Sequence, residues 1–377
     1  MRTLGETGVD IRVTIDEKDN FSRGAVNSLI LTAGGRIDRK DQDDLNKSDM
    51  RGLTLHELMR RSIRERDQKY PGELRGAELV QYSFRDMNLM GGIASILANV
   101  QNKILSTSYL NAATTYQKWT GKGTVKDFKD GTIVSASPFS SLSLNTQGVA
   151  PTQITVADRN ENVTIGTYAS DCLLSRQAMY SDDLKLFLAM GNLLGAAAAR
   201  AVNTAAYAKL MANAAMSDTY ALFEAAHHGN LTTNGGAPSE ATISDAVDSM
   251  MNQASDGVKS NVGPKFLLVP PKMLVSSKKL ITGIYGSDSD KIEVVDDANL
   301  SDTTLTGYDP NAWYLAADPS KMGTISVYTL EGFPEPQIIA EESRVSEALG
   351  VKFRVVFDFG IGVDHYAGLH KNDGGTD

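Results

Sequence analysis

Cysteine is nearly absent from this chain. Cys172 is the single one among 377 residues, which excludes an intramolecular disulfide and fits a reducing compartment. Its nearest basic neighbour is Arg176, so a buried, inert thiol is expected rather than a nucleophile. Histidine is scarce too, at five, and the one cluster, His227-His228, is a pair of sequence neighbours that point differently and rarely share an ion. Those two read as loop or interface residues. The sequence contains no GxSxG nucleophile elbow, no G-x(4)-G-K-S/T phosphate loop and no HExxH. "GKG" at 121–123 lacks the upstream glycine of a phosphate loop, and "GIG" at 360–362 lacks the third glycine of a dinucleotide fingerprint. Asp364-His365 imitates a dyad only on paper, because neighbours on a strand face opposite ways. No catalytic residue, cofactor or metal is therefore expected.

Excess positive charge is missing as well. The formal net charge is -9, whereas a nucleic-acid binder is ordinarily basic. "MRTLGETGVDIRV" at the start has no apolar core of a secretory signal, and no apolar run approaches the roughly 20 residues of a spanning helix. A cytosol-made, soluble chain without membrane contact is expected. Its 41% hydrophobic residues suffice for a sizeable core in two or three structural units.

What is present is unevenly spread. Residues 1–80 carry 15 basic and 15 acidic side chains, so the whole net charge resides in the remainder. Such a segment has little apolar material of its own and needs a neighbour to order it, either as a partly disordered leader or as an arm lying on another surface. Within it "TLHELMRRSIRERDQ" opens with Thr54 and Glu57 in capping-box spacing and aligns Leu55, Leu58, Met59 and Ile63 on one stripe. Arg60, Arg61, Arg64 and Arg66 cluster elsewhere on that helix. Arginine suits phosphate, but Glu65 and Asp67 balance them as on a solvated face.

Further along, Ile96, Val100, Ile104 and Leu105 keep helical spacing between Ser95 and Trp119. From Thr124 to Ser170 two polar, strand-like stretches flank a Ser/Thr/Gly-rich bridge, the pattern of an extended hairpin. Such a hairpin is marginal in water unless something covers it. A long helix follows from Ser181, with Asp182 and Asp183 as N-terminal caps. Its expected stripe is Leu184, Phe187, Leu188, Leu194, Ala198, Ala201, Val202, Ala205 and Ala208, and it reads as a beam rather than a core packer. Gly191 and Gly195 weaken it but admit a close neighbour. Residues 217–334 alternate short helices and apolar strands as a mixed α/β domain. "GVKFRVVFDFGIGVDHYAGLHKN" then closes the chain with Val351, Phe353, Val355, Phe357 and Phe359 on alternate positions, a half-buried strand completing a sheet begun upstream.

The ordered set "RGLTLHELMRRSI", "FRDMNLMGGIASILANVQNKIL", "TTYQKWTGKGTVKDFKDGT", "LLSRQAMYSDDLKLFLAMGNLLGAAAARAVN", "LFEAAHHGNL", "FLLVPPKML" and "FDFGIGVDHYAGLHKN" resembles the major capsid proteins of tailed bacteriophages. The branch it looks most like is often fused to, or encoded beside, a prohead protease. The chain starts with the arm, so a protease or scaffold segment is expected to be encoded separately or already removed.

The resemblance implies an α+β fold. Residues 1–83 would be the N-terminal arm, 84–123 would lead into the peripheral (P) domain, and 124–170 would be the E-loop hairpin. Residues 171–216 would hold the spine helix, 217–334 the axial (A) domain, and 335–377 the P-domain return strands and C-terminus. It implies hexamers and pentamers tiling an icosahedral head in the virion, with other copies of the chain as the main partners. A decoration protein, portal, and scaffold or protease are the accessory ones, and packaged double-stranded DNA is held without sequence-specific contact.

Candidate intersubunit contacts under that resemblance are Arg60, Arg61, Arg64, Lys126, Asp127, Lys129, Asp130 and Arg354. A lysine–asparagine crosslink, as in some relatives, would use Lys126 or Lys129 with Asn372. An encapsulin-like compartment of the same fold, and a hydrolase with an unrecognised site, are the alternatives.

Overall fold

The computed structural model describes residues 17–32, 37, 39–48, 52, 54–66, 78–79, 82, 87–129, 131–136, 158–175, 177, 181, 184–255, 258–286, 292–341 and 350–375. The expected caps Asp182 and Asp183, the bridge of the hairpin at 137–157, Asp130 and the first 16 residues lie outside these. In chain order the helices are α1 (Glu17–Thr32), α2 (Arg39–Ser48), α3 (Leu55–Arg66), α4 (Met87–Leu110), α5 (Tyr116–Trp119), α6 (Leu184–Ala212), α7 (Glu240–Asn252) and α8 (Leu274–Tyr285). The strands are β1 (Gly121–Val125), β2 (Gly131–Ala136), β3 (Asp158–Val163), β4 (Gly166–Ser175), β5 (Leu231–Thr232), β6 (Ala254–Ser255) and β7 (Val258–Lys259). They continue with β8 (Phe266–Val269), β9 (Glu293–Asp296), β10 (Trp313–Ala316), β11 (Ile325–Leu330), β12 (Gln337–Glu341), β13 (Gly350–Val363) and β14 (Leu369–Asn372). Among the described residues no helix is long and apolar enough to cross a membrane.

The chain forms two compact units. Met1–Ser108, Ala169–Gly195 and Gln337–Val356 make the first; Tyr109–Tyr168, Ala196–Pro336 and Phe357–Asp377 make the second. In the first, Leu29 and Ile30 of α1, Leu45 of α2, and Leu58, Met59 and Ile63 of α3 join one core with Ile93, Leu97 and Val100 of α4. The charge-dense segment therefore does not depend on another molecule for all its burial. α1 contributes Ala25, Leu29 and Ile30 and α3 contributes Leu58, Met59 and Ile63, at i, i+4 and i, i+1 spacing, whereas α2 contributes Leu45. Lys103 of α4 pairs with Asp41 of α2 and donates to Asn27 Oδ1 of α1 at 3.3 Å, tying the charged faces as well. Asn102 clasps Ile338 of β12 like a strand neighbour, accepting from its N–H at 2.5 Å and donating to its carbonyl at 3.0 Å.

The second unit has a sheet in the order β5-β14-β10-β8-β9. Its central strands are buried on both faces, and the period of two divides them between two cores. Phe266, Leu268, Tyr314 and Ala316 enter one core with Val202, Ala206 and Leu210 of α6. Leu267, Val269, Trp313 and Leu315 enter the other with Ile243 and Met250 of α7 and Ile281 of α8. Beside the first of these cores lies a polar knot around the buried Asn203 and Asp297. Asp297 accepts from Asn203 Nδ2 at 2.8 Å and from the Thr115 hydroxyl, and its other oxygen takes the Asn299 backbone and side-chain N–H groups at 2.9 and 2.7 Å. Four donors on one buried carboxylate replace the water it has lost.

Helix α6 runs about 44 Å at 1.5 Å per residue, and it packs into cores along its length, contrary to the beam expected of it. Phe187 and Leu188 belong to the first unit's core; Ala199, Val202, Ala206, Tyr207, Leu210 and Met211 belong to the second's. Ala198, Ala201 and Ala205, expected on the buried stripe, are only partly buried. An alanine run carries no facial preference, so the bulky Val202, Tyr207 and Leu210 set the rotation and bring Ala199 and Ala206 inward. At Gly191 the close neighbour is a side chain: a Cβ there would lie 2.3 Å from Gln101 Oε1.

The closing strand follows its alternation. Phe353, Val355, Phe357 and Phe359 are buried, and Lys352, Arg354, Val356 and Asp358 between them are half-buried. Lys352–Val356 pair antiparallel with β12, and Phe359–Val363 pair antiparallel with β11. Strand membership cuts across the sequence boundaries. β1, which straddles the start of the expected hairpin, runs parallel to β11 from within 217–334. β14, from the 335–377 return, lies between β5 and β10 in the sheet of residues 231–316.

Candidate assembly surfaces

The expected hairpin is shorter at its root than its sequence suggested. Each strand-like stretch breaks in two. β1 and β4 join the β13 sheet, whereas among the described residues β2 and β3 pair only with each other, from Gly131↔Val163 to Ala136↔Asp158. The first break is a turn at Lys126–Lys129 in which Asp127 Oδ1 accepts the Lys129 N–H at 3.2 Å, the side-chain mimicry of a backbone turn. The root rests on glycine. A Cβ at Gly360 would lie 2.3 Å from the Thr164 carbonyl, and one at Gly362 would lie 2.8 Å from Ile133 Cδ1. The "GIG" stretch is thus a bare seat for the hairpin and not part of a nucleotide fingerprint.

"GKG" does the same on β1. A Cβ at Gly123 would meet the Tyr328 ring at 2.3 Å, and that ring also abuts Gly362. The Tyr328 hydroxyl donates to Asp364 Oδ1 at 2.6 Å, and Ser326 donates to Oδ2. Burial pushes the Asp364 carboxyl up from its ordinary range, against these two donors.

One carboxylate fixes the root to the rest of the second unit. Glu161 of β3 accepts the Ser217 N–H at 3.0 and 3.2 Å, and its Oε1 accepts the Ser217 hydroxyl at 2.5 Å. A cavity of about 220 Å³ opens beside it, with Lys209, Leu222 and Val363 among its walls, smaller than the roughly 300–1,000 Å³ of ordinary small-molecule sites.

The charged residues named from the sequence occupy three places. On α3, Arg61 Nε lies 3.2 Å and Arg60 3.5 Å from the Glu57 carboxylate, while Arg64 is exposed. The Glu57 N–H donates to the Thr54 hydroxyl oxygen at 3.2 Å, the Thr54 side of the expected capping box. Lys126, Asp127 and Lys129 stand exposed in the turn before β2, and Asp130 lies outside the described residues. Arg354 is committed within its own chain, forking onto Asp171 of β4 at 2.7 and 3.1 Å with Lys352 2.6 Å from the same carboxylate. The hydrogen bonds from Arg354 and then Lys352 hold the Asp171 carboxyl well below the usual range.

Asn372 is not placed for a crosslink. It is 2% exposed, its Oδ1 accepts the Gly374 N–H at 2.8 Å, and Gly235 packs against it. His227 and His228 go separate ways. His227 Nδ1 is 3.2 Å from Glu224, and buried His228 stacks on Tyr366 at 3.9 Å with Nε2 2.9 Å from Asp218. His365 Nδ1 accepts the Ala367 N–H at 2.9 Å and so turns from Asp364. Cys172 is half-buried rather than buried, and desolvation pushes its thiol pKa up. Among the described residues no group of three His, Cys, Asp or Glu side chains is placed to hold a metal ion.

The family model described as phage capsid protein matches residues 160–372, more than half of the chain. The chain belongs to the phage capsid protein family. Its fold is the α+β fold of tailed-phage major capsid proteins, with the long helix α6 and the two sheets. This capsid protein is a structural component of the virion head shell rather than an enzyme, and it assembles with copies of itself. No curated protein sequence matches it. Similar solved structures include the capsid of cyanophage P-SCSP1u, 13% identical over 69% of this chain and 88% of that one, with a TM-score of 0.46. A Mycobacterium phage Patience structure is 12% identical over 76% and 88%, with a TM-score of 0.44. The holo-SrpI encapsulin complex from Synechococcus elongatus PCC 7942 is 10% identical over 68% and 85%, with a TM-score of 0.41.

Sequence reasoning missed the residues that hold the capsid protein's surfaces in place. Glu161 and Asp171 lie 56 and 183 positions from their partners Ser217 and Arg354, and no local pattern announces such pairs. The two GxG stretches are excluded by sequence as phosphate or dinucleotide loops, but their part as close-packing seats shows only with their cross-strand neighbours.

Proposed function

We propose that this capsid protein forms hexamers and pentamers that tile an icosahedral head around double-stranded DNA, assembled in the bacterial cytoplasm. Residues 1–83 serve as the N-terminal arm, 124–170 as the E-loop, 171–216 as the spine segment, 217–334 as the axial domain, and 84–123 with 335–377 as the rest of the peripheral domain. The observation that carries this reading is the β2–β3 ladder, which pairs with no third strand among the described residues and on which Thr132, Asn160 and Asn162 are exposed. A two-stranded ribbon of this kind gains its burial on a neighbouring subunit. Arg60, Arg61, Arg64, Lys126, Asp127, Lys129, Asp130 and Arg354 border such contacts. Exposed pairs contribute about 0–1 kcal/mol each, so their effect comes from repetition over the shell. The net charge of -9 keeps the wall from gripping the packaged genome.

The resemblance to the protease-associated branch supports a prohead protease or scaffold as an assembly partner, beside a portal and a decoration protein. Negative-stain microscopy of the purified chain, followed by nuclease-protected nucleic acid analysis of particles from infected cells, is the test. Closed shells that protect double-stranded DNA are expected. Shells holding an enzyme cargo instead would favour the encapsulin-like compartment, and a lone monomer at high concentration would contradict both.

A further inference from the structure

At one end of the β13 sheet two aromatic side chains stand in solvent. β1 and β11 run parallel with Val125 opposite Leu330, and the Glu331 N–H donates to the Val125 carbonyl at 2.9 Å, so both strands leave the sheet together. Three residues later each chain segment carries a phenylalanine: Phe128 is 51% exposed and Phe333 46%. Neither ring is held out by a loose loop. Lys129 N–H on Asp127 closes the first turn, and Phe333 N–H on the Leu330 carbonyl at 2.9 Å closes the second. Fixing two large apolar groups in water costs free energy that folding of this chain does not recover.

We propose that Phe128 and Phe333 are the apolar anchors of a contact with a second copy of this chain. The inference rests on the shell reading above and names the surface that reading left open. The charges around the rings favour a second copy as the occupant. Lys126, Asp127 and Lys129 surround Phe128 in one turn, and Glu331 begins the turn of Phe333, all four of these charges exposed. A patch carrying charges of both signs around apolar centres is complementary to itself, with Lys126 and Lys129 of one copy meeting Glu331 of the next. The capsid protein is also known to have copies of itself as partners. Two rings bury about 150–250 Å² each at most, short of the roughly 800 Å² per partner of a stable pair. The patch therefore acts within the shell, where it recurs at every subunit, and not as a free-standing dimer contact.

The test is a full-length double variant, Phe128→Ser with Phe333→Ser, compared with Phe128→Leu with Phe333→Leu and with the wild-type chain. The serine pair is expected to keep the wild-type circular dichroism and thermal midpoint while particle yield falls about ten-fold or more, and the leucine pair to retain most particles. Serine-pair particles at wild-type yield overturn the proposal. An independent readout replaces Phe128 by benzoylphenylalanine and irradiates assembled particles. Covalent dimers of the chain are expected, and monomer alone overturns the proposal. Wild-type chain that makes no particles contradicts the shell reading itself and takes this inference with it, whereas normal particles from the serine pair overturn only the inference.

Discussion

Two strand systems in this molecule differ in what surrounds them. β8 and β10 have four residues each, and every side chain in them is buried, split by alternation between two cores. β2 and β3 have six residues each, pair only with each other among the described residues, and of their described side chains Val163 alone is buried. β8 and β10 are paired on both edges, whereas β2 and β3 are paired on one among the described residues. Burial differs as well, and burial is what makes a short ladder persist in water. The contrast separates what the chain needs in order to fold from what it keeps for other copies.

Substitutions can break the contrast at the buried end first. Phe359→Ala on β13 empties a site that is 1% exposed and stacked by Tyr168 at 4.2 Å. A loss of about 3–5 kcal/mol is expected in urea unfolding. Ile133→Ala at the hairpin root should cost less than half of that, and an equal cost would erase the distinction.

Acid provides the next test. His370 of β14 is 1% exposed, with Thr232 Oγ1 3.0 Å from Nε2 and Ser249 Oγ 3.4 Å from Nδ1, and desolvation pulls its pKa down to about 4. The unfolded value is about 6.5, so between these two the unfolded chain binds more protons and stability rises with pH. Stability is complete above about pH 6.5 and declines toward pH 4, by an amount on the order of 3 kcal/mol. Urea midpoints across that window check it, and His370→Gln should flatten the slope.

The smallest effects belong to the surface clamps. Glu161→Ala removes the acceptor of Ser217 and should cost about 1 kcal/mol of stability or less, while loosening the hairpin root enough to slow assembly. Light-scattering kinetics against the wild type would show it. Asp171 has a lowered pKa, so its pairing with Arg354 and Lys352 is present above the ordinary carboxylate range and is lost as pH falls through the folded value. Asp171→Asn should shift the urea midpoint only slightly at pH 7, and by progressively less as pH falls below the ordinary carboxylate range.

Local pattern carried a good deal of this architecture. The alternation of Phe353, Val355, Phe357 and Phe359 is enough to place β13 and its buried face, because a strand's period is two whatever pairs with it. The extent of α6 is equally legible, and only its rotation is not, since alanines fit any face. The helices α1 and α2 escaped notice because dense charge hides the few apolar positions, Leu29, Ile30 and Leu45, that dock them. Pairings over long separations leave no local trace: β1 with β11, β14 with β10, Arg354 with Asp171. The glycines of both GxG stretches could be read only once their neighbours Tyr328, Thr164 and Ile133 were in place.

Of all these measurements, the most direct keeps the ladder and removes only what lies beyond it. Replacing residues 137–157 by Asn-Gly closes β2 on β3 after the Ala136–Asp158 pair with a two-residue turn. The account predicts a soluble subunit with the wild-type urea midpoint and no shells by negative stain. Shells of normal size and yield from that chain would contradict it.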